Sequence, residues 1–463
     1  MPRRLNHFKE NLQENIGEFK VKRFLSTTSY ILSYASDKKI IQMLEFLKAV
    51  SSEEAKLSFE VIIKAFREKH PSLLLAKRAI KSSSKRCRNR LVINLLGGLA
   101  LNTKRAEKIE KKEGFPVPFS ILISPTMRCN LRCRGCYAAN YSKEDDLPIS
   151  VIDRVIREAK ELGTCLFTIL GGEPFVRKDM LKIYSKHNDA YFQVYTNGTL
   201  INENTAKILA KLGNVAPMIS IEGFEKETDS RRGKGVYKKI IAAMEILKKY
   251  QIPFGFSCCV ERSNVEKILS DEFLDMIIEK GALLGWLFLY MPLGENPSLE
   301  RMPTPKQRFW MYKRVSEIRD KKPIFLIDFW NDAPEVGGCI AGRSYVHINS
   351  KGDVEPCIFT HFAVDNIKNK SLRQALNSRF FKEIRKRQPF NKNLFMPCMW
   401  IDNPKVGREI HRICQPYPTH PGADKQIKYP KIRKGINKYS KEISRIYSKE
   451  WETCQAAKDN NKV

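Results

Sequence analysis

Apolar residues along this chain change their spacing near residue 115. Before that point they recur at helical intervals, as in the segments 40–50 and 55–66. From Pro116 onward, short β-branched, aromatic or aliphatic runs alternate with amphipathic segments of helical length. This alternation is typical of repeated strand–helix units around a parallel sheet. The pattern therefore predicts a helical N-terminal region followed by an α/β core.

Six strand–helix units are expected in this core. Their strands are predicted at 119–124, 165–170, 191–196, 215–221, 254–260 and 286–290. We interpret the units as a partial (β/α)6 TIM-like barrel. In β/α barrels the loops at the carboxyl ends of the strands carry the chemistry. The loops that follow these six strands should therefore converge on one site.

The spacing changes again after residue 302. A helix is predicted at 306–319 and a strand at 324–329, followed by a cysteine-bearing region and a Lys-rich end. These changes divide the chain into a basic helical N-terminal region (1–114), the α/β core (115–305), a small cysteine-rich C-terminal domain (306–421) and a basic tail (422–463). We expect the tail to be a weakly held helix or a loose segment.

Three cysteines directly follow the first predicted strand. Cys129, Cys133 and Cys136 have the spacing C-x3-C-x2-C. A four-iron four-sulfur cluster normally takes four cysteines, so three thiolates leave one iron open. The amine and carboxylate of S-adenosylmethionine could chelate that iron, and an electron from the cluster would then release a 5'-deoxyadenosyl radical. Zinc is the alternative, but it prefers four closed ligands, and no fourth Cys or His lies near the triplet in sequence.

The triplet, placed directly after a strand, resembles the defining motif of the radical S-adenosylmethionine (radical SAM) superfamily. That superfamily usually has an aromatic residue just before the third cysteine, packed near the adenine. Here the position is Gly135, and Tyr137 follows the cysteine. The resemblance implies a cluster held by the triplet and S-adenosylmethionine bound to it.

Two further loops resemble parts of the same superfamily. Gly171, Gly172, Glu173 and Pro174 follow the second strand and resemble the motif that receives the methionine amino group. Glycines let a backbone carbonyl approach closely, and Glu173 would add negative charge near an ammonium group. Ser220, at the end of the fourth strand, is the candidate for contact with the ribose or the carboxylate of the cofactor.

A second set of cysteines lies in the C-terminal domain. Cys339 and Cys357 stand at the outer ends of a predicted β-hairpin around residues 350–353, so the hairpin should bring their thiolates together. This spacing resembles the opening of SPASM and twitch domains, which bind auxiliary iron–sulfur clusters. Cys398 and Cys414 would complete a four-thiolate site for one auxiliary four-iron four-sulfur cluster. Zinc on the same four thiolates is the alternative.

Composition adds a question about partners. The 82 basic and 51 acidic side chains give a formal net charge of +31. Such a field attracts a membrane surface or nucleic acid, although solvated basic faces that keep the protein soluble explain it equally well. No secretion signal is visible, and the longest apolar stretch, 91–101, is shorter than the roughly 20 residues that span a bilayer. We therefore expect a cytoplasmic protein.

The resemblance predicts an enzyme that abstracts hydrogen from an unactivated carbon of its substrate. By analogy with proteins that carry this C-terminal extension, the substrate would be a peptide. The same chemistry on a lipid, a phosphorylated molecule or nucleic acid is an alternative, and a non-catalytic iron–sulfur sensor that binds RNA is another. An enzyme of this type also implies an external electron donor of the flavodoxin or ferredoxin type.

Overall fold

The computed structural model of the protein describes residues 36–49, 60, 63–294 and 296–460. The predicted helical segment at 55–66 lies mostly outside these residues. Within them the α-helices are α1 Asp37–Ala49, α2 Pro71–Lys81, α3 Lys85–Arg90, α4 Gly98–Glu113, α5 Ile149–Leu162, α6 Met180–Lys186, α7 Glu203–Leu212, α8 Glu225–Arg232, α9 Val236–Lys249, α10 Val265–Ile268, α11 Asp271–Lys280, α12 Pro305–Lys321, α13 Leu372–Leu376, α14 Arg379–Lys386, α15 Pro404–Cys414, α16 Lys425–Lys428 and α17 Pro430–Asn460. A π-helix, Leu91–Gly97, joins α3 to α4.

The strands of the described residues are β1 Ser120–Ile123, β2 Leu166–Ile169, β3 Tyr191–Thr196, β4 Val215–Ser220, β5 Gly255–Val260, β6 Leu284–Leu289, β7 Phe325–Asp328, β8 Tyr345–Ile348, β9 Val354–Glu355, β10 Phe362–Ala363 and β11 Tyr417–Pro418. Strands β1 to β9 form one sheet in the order β7-β6-β5-β4-β3-β2-β1-β8-β9. Strands β1 to β8 run parallel to their neighbours, whereas β9 is antiparallel to β8. The predicted α/β fold with six parallel strand–helix units is confirmed.

Apolar patterning explains why the helices cover this sheet. Helices α5, α9 and α11 bury one apolar face each against strands that are themselves almost fully buried. Strands buried on both faces are typical of parallel sheets, because the crossover helices lie over them. The carboxyl ends of β1 to β6 consequently meet at one edge, where the loops of the site lie.

Two strands beyond the six extend the sheet at its ends. Strand β7 pairs with β6, and β8 pairs with β1 through Ser120 and Tyr345. The expected boundary at 305/306 is therefore not a boundary in the sheet, because α12 and β7 continue the strand–helix alternation. The cysteine-bearing hairpin β8–β9 is joined directly to the strand that precedes the cysteine triplet.

The terminal regions pack on this core. Arg78 of α2 donates hydrogen bonds to the carbonyl oxygens of Ile278 at 2.7 Å and Ala282 at 3.2 Å, which ties the N-terminal helices to the barrel. Helix α17 buries Ile443 and Tyr447 against the C-terminal domain. Residues 430–460, expected as a weakly held helix or a loose segment, thus form a helix that packs on the core, because apolar side chains recur along one of its faces.

Candidate active site

The loop between β1 and α5 carries the cysteine triplet. Cys129, Cys133 and Cys136 line one large cavity, and the loop's short turn is closed by a hydrogen bond from the Cys136 amide to the Cys133 carbonyl at 3.3 Å. The Leu131 amide donates to the Cys129 sulfur at 3.4 Å. Asn197 donates to the same sulfur at 3.8 Å. The triplet therefore converges at the carboxyl end of β1, where the sequence predicted it.

Gly171 and Gly172 lie against the backbone of this loop. The Gly172 amide donates to the Thr126 carbonyl at 3.0 Å, and the Glu173 amide donates to the Arg128 carbonyl at 2.8 Å. A Cβ atom on Gly172 would stand 2.1 Å from the Arg128 carbonyl oxygen. The close approach requires glycine here, and both glycines line the cavity beside the triplet.

Glu173 has a different position from the one expected. Its carboxylate is fully buried and accepts hydrogen bonds from Thr196 Oγ1 at 2.8 Å, the Asn197 amide at 2.8 Å and the Phe175 amide at 3.1 Å. Burial raises the pKa of this carboxyl group. Glu173 and Pro174 therefore lie beneath the cavity wall, and Glu173 fixes the loop after β3 next to the triplet.

Ser220 lines the cavity at the end of β4, as expected. Its Oγ lies 3.2 Å from the Oγ of Ser257, which lines the cavity at the neighbouring strand. The two hydroxyl groups place a small polar patch in a wall that is otherwise largely apolar. This patch is available to a hydroxyl or carboxylate of a bound cofactor.

A buried ion network next to Cys133 was not predicted. Arg231 and Arg232 pair with Glu222 at 2.9 and 2.6 Å, Arg231 also pairs with Glu261 at 3.1 Å, and both arginines line the cavity. Arg232 donates to the Cys133 sulfur at 3.9 Å. Burial alone would raise the pKa of Glu222, but the two guanidinium groups outweigh it and hold that pKa below its usual range. The sequence feature that could have indicated this network is an acidic residue after each of two neighbouring strands, Glu222 after β4 and Glu261 after β5.

Gly135 has a structural reason to lack a side chain. Its φ is +65°, and a Cβ atom there would lie 1.9 Å from a guanidinium nitrogen of Arg301. Arg301 stacks on the ring of Tyr290, with 4.5 Å between the guanidinium carbon and the ring centroid, and donates to the Arg134 carbonyl at 2.9 Å. The arginine–tyrosine pair therefore occupies the space that a side chain at position 135 would need.

A second wall of the same cavity, formed by the C-terminal domain, carries the second cysteine set. Cys339, Cys357 and Cys398 line this wall. Burial raises the pKa of each of these thiols to about 12. Cys357 accepts a hydrogen bond from the Tyr345 hydroxyl at 2.8 Å. Cys414 is not in this wall, because it is the last residue of α15 and lies beside α14.

The cavity that both cysteine sets line has a volume of about 1130 Å³. Aromatic side chains from β6, from the residues just after β7 and from the rest of the C-terminal domain also line it, namely Trp286, Phe288, Phe329, Trp330, Phe359 and Trp400. Many of these rings are in contact, such as Trp286 and Phe288 at 5.7 Å between centroids. The reacting part of a substrate would thus be held among apolar rings.

A chain of buried polar groups links the hairpin to the triplet loop. His347 lies 2.7 Å from Ser124 Oγ and 2.7 Å from Glu355, and Glu355 accepts a hydrogen bond from Tyr141 at 2.8 Å. His361 likewise lies 2.6 Å from a ring nitrogen of His420. These histidines therefore have hydrogen-bond partners within the protein, which favours the interpretation that they are not metal ligands.

The donor set fits iron–sulfur clusters at both walls. Three thiols of each set line the same cavity, and amide groups donate to sulfurs of both sets. Within the described residues, no group of three or more His, Cys, Asp or Glu side chains is arranged to hold a single metal ion. A cuboidal cluster has a different requirement, because each of its thiolates binds a separate iron.

Known protein families match the two segments of the chain that carry the cysteine sets. A model of the radical SAM superfamily matches residues 123–271, and a model of the SPASM iron–sulfur cluster-binding domain matches residues 339–399. An AdoMet-dependent heme synthase of Methanosarcina barkeri is 28% identical over 290 residues, which are 56% of this chain and 82% of the relative. An uncharacterized protein of Methanocaldococcus jannaschii is 32% identical over 250 residues, 51% of this chain and 84% of the relative.

Solved structures share the fold. The crystal structure of Streptococcus suis SuiB bound to S-adenosylmethionine has a TM-score of 0.54 and 20% identity, covering 66% of this chain and 78% of SuiB. SuiB bound to its precursor peptide SuiA has a TM-score of 0.51 and 21% identity, covering 62% and 72%. Among the described residues, no helix is both long and apolar enough to cross a membrane.

Proposed function

Because this chain belongs to the radical SAM superfamily and carries a SPASM iron–sulfur domain, we propose that it abstracts hydrogen from an apolar group of a peptide substrate. The family implies an enzyme that uses four-iron four-sulfur clusters and S-adenosylmethionine. When bound, they supply the electron and the radical for hydrogen abstraction. An external donor of the flavodoxin or ferredoxin type would provide the electron.

One observation carries this proposal. The triplet and the second cysteine set line the same cavity, together with a group of aromatic side chains. A substrate bound in this cavity would share it with the cofactor, and the apolar rings of the lining would displace water from the reacting group. Exclusion of water protects a reactive species from side reactions. A cavity large enough to hold a substrate beside the triplet favours catalysis over a sensor, which needs no substrate site.

The residues around the triplet would orient the cofactor. Gly172 keeps the triplet loop close to β2, and Asn197 and Arg232 donate to its sulfurs. Hydrogen bonds to a thiolate stabilise its charged form, which is the form that binds iron. Ser220 offers a hydroxyl on the same side of the cavity. These groups would hold the triplet loop in place or balance the negative charge of its thiolates.

Aromatic walls support a substrate whose reacting group is apolar. A peptide meets this requirement when an aliphatic or aromatic side chain enters between rings such as Trp286 and Phe329. SuiB, which shares the fold, has been solved with a precursor peptide. The peptide remains our proposal for this chain, and a lipid acyl chain is the alternative that the experiment below separates.

Cleavage of S-adenosylmethionine tests the chemistry. The anaerobically reconstituted protein with dithionite should produce 5'-deoxyadenosine and methionine. Replacing Cys129, Cys133 and Cys136 with alanine should abolish this production and remove about half of the iron, because each wall would hold one cluster. An iron-loaded parent protein that makes no 5'-deoxyadenosine would refute the proposed chemistry.

Deuterium transfer tests the substrate class. Short peptides encoded beside the gene, synthesised with perdeuterated apolar residues, are incubated with the reconstituted enzyme. Deuterium in the 5'-deoxyadenosine, found by mass spectrometry, would support a peptide substrate. Deuterium acquired instead from vesicles of acyl-deuterated anionic phospholipid, with none acquired from the peptides, would contradict it and favour the lipid alternative.

A further inference from the structure

The interior of the barrel contains polar side chains that no described part of the protein satisfies. Gln193 of β3 lines the cavity and is only 9% exposed, yet its amide makes no hydrogen bond with any described residue. Tyr195 lines the cavity two positions further along β3, and its hydroxyl has no hydrogen-bond partner among the same residues. The Nε1–H group of Trp286 is buried and equally unpartnered within them. Because buried polar groups are normally hydrogen-bonded, these three groups indicate a binding site.

Strand geometry places these groups inside the barrel. Successive side chains of a strand point to opposite faces of the sheet. Phe192 packs against Tyr184 of α6, with 4.8 Å between the ring centroids, and so faces the covering helices. Gln193 and Tyr195 therefore face the barrel interior. The ring of Tyr195 lies 6.4 Å from the ring of Trp286, which belongs to β6.

The N-terminal region covers the barrel at the beginning of β3. Leu91 and Leu95 of the π-helix pack against a buried cluster that includes Tyr191, the first residue of the strand. Asn94 donates a hydrogen bond to the carbonyl oxygen of Ala190 at 3.1 Å, which holds the π-helix in place. This end of the interior is therefore covered, whereas the interior is continuous with the cavity at the triplet.

Charge is confined to the part of the cavity near the triplet. Among the described residues, every charged side chain that lines the cavity follows the carboxyl end of a strand, and these are Arg128, Arg132, Lys143, Arg231, Arg232 and Asp332. The strands themselves contribute only uncharged side chains to the lining. Burying an ion without a counter-charge is costly. The barrel interior therefore favours an uncharged ligand.

We propose that the barrel interior around Gln193 binds an uncharged amide group of the substrate, and that Gln193 selects this group. A carboxamide or a peptide group offers a carbonyl oxygen to the amide hydrogens of Gln193 and an N–H group to its oxygen. Tyr195 and Trp286 supply further donors for the carbonyl oxygen. A carboxylate has no N–H for the Gln193 oxygen, and an ammonium group has no acceptor for the three donors. The substrate role rests on the proposed function, whereas the binding preference does not.

The depth of Gln193 gives this selection a consequence for the reaction. Asn197, which donates to the Cys129 sulfur at 3.8 Å, follows the carboxyl end of β3. Gln193 stands four positions earlier, about 13 Å away at about 3.3 Å per residue. A substrate anchored there by its amide would extend its carbon–hydrogen bonds toward the triplet. Anchoring limits the orientations of the substrate, so one position is presented for reaction.

Small ligands of different charge test the binding preference. Hexanamide, hexanoate and hexylammonium are titrated by calorimetry into the reconstituted full-length protein, saturated with S-adenosylmethionine and without reductant. Hexanamide should bind at least about ten-fold more tightly than either ion, because only the ions lose the hydration of a charge. An equal or higher affinity for either ion, or no binding of hexanamide, would overturn the proposal.

Variants of Gln193 and Tyr195 test the residues. Q193M keeps the length of the side chain but removes its amide, so hexanamide should bind about ten-fold more weakly. Y195F removes one hydroxyl group and should weaken binding about three-fold, which provides a second variant if Q193M does not retain its iron. The matched control is Q426M, because Gln426 is also buried but lies outside the cavity, and its affinity should equal that of the parent. Parental affinity in both Q193M and Y195F would overturn the proposal.

Turnover tests the substrate role separately. With a peptide that transfers deuterium to 5'-deoxyadenosine, Q193M should raise the KM for that peptide about ten-fold, because one hydrogen-bonded anchor is lost. An unchanged KM would overturn the assignment of this subsite to the substrate. The titrations need no reductant and no reaction. A protein that prefers hexanamide but makes no 5'-deoxyadenosine would therefore contradict the proposed function and still support the amide site.

Discussion

Gly172 is the position where one methyl group should do the most damage to the site. In Gly172→Ala the new Cβ would stand 2.1 Å from the Arg128 carbonyl oxygen, while real Cβ contacts are essentially never under 3.0 Å. The backbone next to Cys129 must therefore move by about 0.9 Å at least. Misplacement of reacting groups by about 1 Å costs about 100-fold in rate, or about 2.7 kcal/mol in the barrier.

Formation of 5'-deoxyadenosine, normalised to iron, measures this effect. Gly114→Ala is the matched control, because Gly114 also has positive φ but has nothing within 4 Å of a new Cβ atom. We expect the control to stay within about three-fold of the parent, since backbone strain alone costs about 1 kcal/mol. A G172A enzyme that holds its iron and works at the parental rate would refute the role assigned to this contact.

Three other changes test buried polar groups. Asp402→Asn leaves the Arg308 charge buried without its partner, so unfolding in urea should become easier by about 3–5 kcal/mol, and an unchanged midpoint would contradict the pairing. Burial and the nearby carboxylate of Asp332 raise the pKa of Asp328 to about 7 in the folded protein. In the unfolded chain the same group has its ordinary pKa of 3.8, so between these two pH values the folded state holds a proton that the unfolded state has released. Stability should therefore fall as pH rises from about 4 to about 7, and D328N should lose this slope in thermal melts, whereas an equal slope in both proteins would contradict the shift. Glu173→Gln replaces an acceptor by an amide that cannot satisfy every donor, including the Asn197 amide, so the KM for S-adenosylmethionine should rise about ten-fold. The matched control E203Q, at a half-exposed side chain outside the cavity, should not change it.

Local patterns predicted much of the barrel. The strands observed at β1 to β6 fall within a residue or two of the predicted ranges, because each is a short apolar run bounded by turn residues. The triplet and Gly171–Gly172 were expected to meet because loops after neighbouring parallel strands share one edge. The structure places them together at this edge.

Contacts between distant residues were beyond those patterns. The pairing of Ser120 with Tyr345 joins the hairpin to the barrel across more than 200 positions of sequence, and no periodicity encodes it. Glu173 was expected near an ammonium group, but its carboxylate turns toward Asn197 because three donors converge there. Arg232 is only 10% exposed because Glu222, ten positions away in sequence, compensates its charge.

The sequence by itself determined the order of strands and helices and the family to which the cysteine triplet points, since both depend on residues close together in the chain. Only the tertiary structure decided which cysteines line the same cavity. Cys398 and Cys414 are equally plausible partners for Cys357 in the sequence, but α15 runs between them and carries Cys414 away from the cavity. The direction of a helix depends on what its apolar face packs against, and that is fixed only when the whole chain is folded.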